Sequence, residues 1–100
     1  MNRILIPPKA VTEVRTSPVD FSPFCTAGQL LSTVTVAVSV YSGTDATPPT
    51  FTATITGQVV NVIETGGLLG VIYTVKISAV TTGSNTLVVA YYLALIPDLP

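Results

Sequence analysis

Apolar and polar residues alternate with a period of two along most of this chain, and no stretch sustains the 3.6-residue period of a helix. The clearest run is Thr33 to Tyr41, where Val34, Val36, Val38 and Val40 take every second position among Thr33, Thr35, Ala37, Ser39 and Tyr41. That spacing predicts a strand with one face in a core. Tyr73, Val75, Ile77 and Ala79 alternate with Thr74, Lys76, Ser78 and Val80 in the same way. Phe51, Ala53 and Ile55 mark a shorter strand ending at Gly57, Val59 to Glu64 makes another, and Leu87 to Ile96 the last. Between them lie a loop at Ser42–Pro49, a turn at Gly66–Gly70 and a hairpin loop at Thr81–Asn85, all rich in turn formers. Strands separated by turn signals at roughly ten-residue intervals predict an all-β antiparallel sandwich or barrel.

The N-terminal part reads differently. Pro7, Pro8 and Pro18 interrupt it, and residues 1–16 are expected to form an extended arm, with Val11 and Val14 as candidates for a first edge strand. Residues 17–100 form the single domain. Within it, Ser17 to Ala27 holds two prolines, with Asp20 and Ser22 as turn initiators, and reads as a loop laid across one end. The apolar stretch near Met1 is too short for a secretory signal, so the mature protein is expected to begin at residue 1 or 2.

Composition turns this fold into a problem of solubility. Charged residues make up 9% of the 100 positions, and mean hydropathy is +0.67; ordinary domains carry about 25% charge. The longest apolar run, Leu87 to Ile96, stops at Pro97, well short of the roughly 20 residues a membrane helix needs. A chain so apolar without such a span is expected to pack against other protein, as a subunit of an assembly. A net charge of −1 from scattered residues offers no basic stripe for nucleic acid. Cys25 stands alone, so it forms no internal disulfide and reads as a small apolar group.

The last strand locates the expected interface. Its two faces are both apolar: Leu87, Val89, Tyr91, Leu93 and Leu95 on one, Val88, Ala90, Tyr92, Ala94 and Ile96 on the other. Such a strand must be covered twice, and one core covers it once. The second set is therefore the candidate protein interface, with the 17–27 loop as the alternative cover. A further candidate is Ile4, Leu5 and Ile6 ahead of Pro7-Pro8, a short apolar strand on a stiff spacer that suits a neighbour's sheet edge.

Candidate chemistry is sparse. The absence of histidine excludes Ser-His-Asp and Cys-His nucleophiles and His-ligated metals. Asp20 and Asp45 sit in turn sequences and read as caps of their own backbone. A calcium site from these two and loop carbonyls is the less favoured alternative. Glu64, before Gly66, reads as a solvated strand end. No residue is assigned a catalytic, cofactor or metal role, and the chain is not expected to be an enzyme. Gly66, Gly67 and Gly70 lie between strands, where they supply positive φ in a turn. The strand that follows opens with Tyr73 as its first inward residue. This turn-and-tyrosine pattern resembles the tyrosine corner of immunoglobulin-like and fibronectin type III sandwiches, in which the ring packs in the core and the hydroxyl bonds backbone a few residues upstream.

An ordered set of motifs widens the resemblance. Asp20-Phe21-Ser22, Gly28-Gln29-Leu30-Leu31-Ser32, Val38 to Asp45 with Pro48, Gly66 to Tyr73, and Thr81 to Leu87 follow one another in this order. The set resembles small virion proteins of tailed bacteriophages of the fibre–tail adaptor, neck and head-decoration types, over about residues 17–96. Leu30-Leu31 departs from the β-branched residue usual there, and the arm has no counterpart. The resemblance implies an immunoglobulin/fibronectin III-like antiparallel sandwich acting as a non-enzymatic, homo-oligomeric adaptor that joins tail or neck to fibres or neighbouring head–tail proteins. It would be assembled in the bacterial cytoplasm with other virion proteins as partners, without nucleic acid, membrane or cofactor. A capsid decoration protein is the alternative, and a carbohydrate- or receptor-binding module a third. Loops 42–49 and 81–85 disfavour the third, because they hold mostly Thr, Gly, Ser and Pro where recognition loops display aromatic and adaptable polar groups.

Overall fold

β-branched residues fill the strand positions of this chain because a pleated surface accommodates their stiff χ1 better than a helix does. A computed structural model describes residues 2–4, 9–10, 13–25 and 28–96, with 2–4, 9–10 and 96 through their backbone alone. Its strands are β1 (Asn2–Ile4), β2 (Lys9–Ala10), β3 (Arg15–Asp20), β4 (Leu31–Ser42), β5 (Thr52–Thr56), β6 (Val59–Glu64), β7 (Ile72–Thr81) and β8 (Thr86–Ile96). They form two sheets. A five-stranded sheet runs β1-β8-β7-β4, with β2 also on β8, and a three-stranded sheet runs β3-β6-β5. The long pairs are antiparallel, whereas β1 and β2 lie parallel to β8. The expected all-β, mainly antiparallel architecture is present.

The core forms where the inward rows of the two sheets meet. Tyr73, Val75, Ile77 and Ala79 of β7 and Val89 and Leu93 of β8 are fully buried, facing Val60 and Val62 of β6. Val19 and Phe21 close one end, with Phe24 and Cys25 packed against them. Burying a side chain of this size contributes about 1.5–3 kcal/mol, so these rows dominate the stability. Val34, Val36, Val38 and Val40 of β4 point to the same core but are only half-buried.

Three expectations need correction or refinement. Ser17 to Asp20 is not loop but the greater part of β3, an edge strand paired only with β6 among the described residues. Pro18, opposite Asn61, is tolerated there because an edge strand does not use every N–H. The turn proper is a 3-10 helix at Ser22–Phe24, which the Phe21 N–H anchors on the Gln58 carbonyl at 2.8 Å. Its Phe24, with Cys25 after it, packs against the core cluster. Within the range expected as an arm, residues 2–4 and 9–10 extend the chain's own sheet alongside β8, and β3 begins at Arg15. Val11 lies outside the described residues, and Val14 is an exposed residue just ahead of β3.

Candidate assembly surface

Where the few polar groups go decides what the surface is made of. Glu64, at the end of β6, is fully buried, so the expected solvated strand end is wrong. Arg15 Nε and Ser17 Oγ, both on β3, donate to its Oε1 at 2.8 Å each. Tyr91 Oη, from β8 in the opposite sheet, donates to Oε2 at 2.5 Å. The cluster joins the two sheets through one carboxylate, and burial is affordable because the charge is paired and hydrogen-bonded. Burial, and then the hydrogen bond to Glu64, pushes the Tyr91 hydroxyl well above the ordinary tyrosine value.

A second buried tyrosine anchors the turn before β7. Tyr73 is fully buried, and its hydroxyl accepts from the Leu68 N–H at 2.8 Å and donates to Asp45 Oδ2 at 2.7 Å. Burial raises this hydroxyl's pKa as well, followed by the bond to Asp45. Gly66, Gly67 and Gly70 all have positive φ. A methyl on Gly67 would lie 3.1 Å from Leu95 and 3.2 Å from the Tyr73 ring, so the turn closes on the tyrosine only with glycine there. Asp45 also accepts from the Thr47 N–H at 3.0 Å, and Asp20 from the Ser22 N–H at 2.9 Å, which holds the Asp20 carboxyl below its usual value. Both aspartates therefore cap their own turns. No group of three or more potential metal ligands exists among the described residues.

With these polar groups engaged in clusters and turns, the outer face of the five-stranded sheet is left nearly neutral. It carries Thr33, Thr35, Ala37, Ser39 and Tyr41 of β4, Ile72, Thr74, Lys76, Ser78 and Val80 of β7, and Val88, Ala90, Tyr92 and Ala94 of β8. Lys76 is the one charge in this set. Tyr41 and Tyr92, from strands on either side of β7, bring their rings together over it with centroids 4.3 Å apart. Of the expected interface residues, Val88, Tyr92 and Ala94 are half-buried in the single chain. Ala90 is already buried at 2% exposure, flanked in the sheet by Lys76 and Arg3, and so offers little to a partner. Ile4 pairs in register with Tyr91 of its own chain. Leu5 and Ile6 lie outside the described residues, as does the Ile96 side chain.

Tyr41 was missed by sequence reasoning, which took it as the polar member of an alternation. At 60% exposure it is one of several large apolar side chains left open, and Val14, Leu68 and Leu69 lie at the same end of the sheets. The available signal was an aromatic on the solvent side of a strand. Among the described residues no helix is long and apolar enough to cross a membrane. Comparison with family models, curated proteins and solved structures finds no match to this chain.

Proposed function

We propose that this chain is a non-enzymatic structural subunit with an immunoglobulin-like fold, which works by packing the outer face of its five-stranded sheet against other protein. One observation carries the reading: a broad sheet face whose described side chains include a single charge, Lys76, with half-buried aliphatics and a stacked pair of tyrosines. Interface centres are depleted in charge and enriched in aromatic residues in this way. The immunoglobulin-like assignment is supported by strand order. Taking β3 to β8 as strands B to G, one sheet reads B-E-D and the other C-F-G, with β1 and β2 as a divided first strand beside G. The Tyr73 hydroxyl bond to the Leu68 N–H fits the tyrosine corner of that fold. The motif order that resembles phage virion proteins supports a virion adaptor as the setting.

Sedimentation velocity of the wild type and Tyr92→Asp over about 1–100 µM, a range that spans weak to moderate affinities, tests the assembly. The wild type should associate, and the variant should stay folded and associate more weakly. A wild type that stays monomeric throughout contradicts the proposal. Mass spectrometry of purified particles from a phage encoding this sequence tests the setting, because an adaptor must be present in fixed stoichiometry.

A further inference from the structure

An edge strand presents unpaired N–H and C=O groups, which proteins ordinarily blunt with charge, proline, bulges or brevity. Two edges of this molecule are blunted. β3 carries Arg15, Pro18 and Asp20, and β5 is 5 residues long and follows Pro48-Pro49. The edge at β4 has none of these devices between Thr33 and Val40. Leu31–Ser42 is a 12-residue strand without a charge or a proline. Its register shifts fall at its ends, between Leu31 and Thr33 and between Val40 and Ser42, so the stretch between them is regular. Among the described residues β4 shares a ladder only with β7, and the N–H of its first residue, Leu31, donates to the Gly57 carbonyl at 3.2 Å.

The core is incompletely covered along this edge. Ala79, Ile77, Val75 and Tyr73 of β7 are fully buried, yet their partners Val34, Val36, Val38 and Val40 remain half-buried. Ala53 and Ile55 of β5, on the same flank, are half-buried too. β5 lies against β4 here but covers this side only in part.

We infer that β4 is a self-association edge: the β4 strand of a second copy pairs antiparallel with it about a two-fold axis at Ala37, making one continuous sheet. The occupant follows from pattern and charge. About Ala37 the strand reads alike in both directions, so Val36 meets Val38, Val34 meets Val40 and Thr35 meets Ser39. Valines of the two copies then cover the half-buried inner row of each other, and hydroxyls meet on the outer row. A charged partner strand would be desolvated against an edge with no countercharge, whereas a copy of β4 brings none. Lys76 lies one strand in from Ala37. The two copies of Lys76 would stand three strand spacings apart, about 14 Å, beyond the roughly 8 Å screening length of physiological salt. This contact rests on the assembly reading above and uses the β4 edge, whose Ala37 also borders the outer face.

Ala37→Glu and Ala37→Lys test it. Ala37 is exposed and sits opposite Lys76, so the glutamate variant gains a favourable neighbour in the monomer. Across the two-fold axis each variant sets like charges face to face. Each alone should associate at least about tenfold more weakly than wild type, with a cooperative melt in dilute solution to confirm folding. Mixing the two variants should restore association together with slow amide exchange along β4, which packing of the outer face alone would leave fast. If both variants associate like wild type, the edge is overturned while the assembly reading stands. If the variants lose association and mixing fails to restore it, a two-fold pairing of copies is overturned in favour of another occupant of β4. A wild type that is monomeric throughout overturns both proposals.

Discussion

The four tyrosines of this chain divide into two pairs that do opposite work. Tyr73 and Tyr91 are buried, each with its hydroxyl on a carboxylate, and they hold the interior together. Tyr41 and Tyr92 lie on the outer face, ring against ring, where they widen an apolar surface. The difference shows how the chain spends its few charges. Glu64 and Asp45 are bonded to tyrosines and Arg15 to Glu64, while among the described side chains of the broad outer face only Lys76 is charged. Polar groups fix the sandwich-like core, and the face left neutral is the one suited to contact.

The interior pair offers the larger effects. Glu64→Ala removes the acceptor of Arg15, Ser17 and Tyr91 together and leaves a void. It should cost about 3–5 kcal/mol, the range for breaking a buried pair, measured by chemical denaturation. Tyr91→Phe leaves a buried carboxylate one donor short and should cost about 1–3 kcal/mol. Tyr73→Phe should cost less, about 1 kcal/mol, because Asp45 is only half-buried and water can replace the lost donor. If Tyr73→Phe proved the more damaging of the two, the ranking of the interior pair would be reversed.

A pH series separates the same two sites. A tyrosine whose folded pKa lies above its ordinary value of 10 keeps its proton in the folded state after the unfolded chain has lost it. Stability is then whole below about pH 10 and falls as pH rises beyond it. Tyr91→Phe should flatten that fall by alkaline denaturation, and Tyr73→Phe should flatten it less. Tyr92→Asp on the outer face should have the smallest effect on folding, about 0.5–1.5 kcal/mol from the lost ring contact. Its main consequence is expected in association.

Much of the fold was legible in local pattern. Val59–Glu64 is a strand over the expected residues, and the β4, β7 and β8 alternations mark the inward rows. The Gly66–Gly70 turn and the burial of Tyr73 were readable because glycine and a first inward aromatic act locally. What could not be read was long-range. Pro18 and Asp20 look like loop formers until β6 is known to pair with β3 on one side only. Glu64 looks solvated until Arg15, Ser17 and Tyr91 arrive from β3 and β8. The outer face of β8 was legible as a second apolar row, but its extension to Tyr41 depends on β4 lying two strands away.

Amide hydrogen exchange of concentrated against dilute protein tests the division between a fixed interior and a contacting exterior most directly. In dilute protein the core amides of β6 and β7 should be protected, and the outward amides of β4 beyond Leu31, which join no ladder among the described residues, should exchange fast. Concentration should slow exchange in β4, with the interior strands unchanged relative to it. Protection that rises instead at the β3 edge, or nowhere, would contradict the assignment of the neutral side of this molecule as its contact surface.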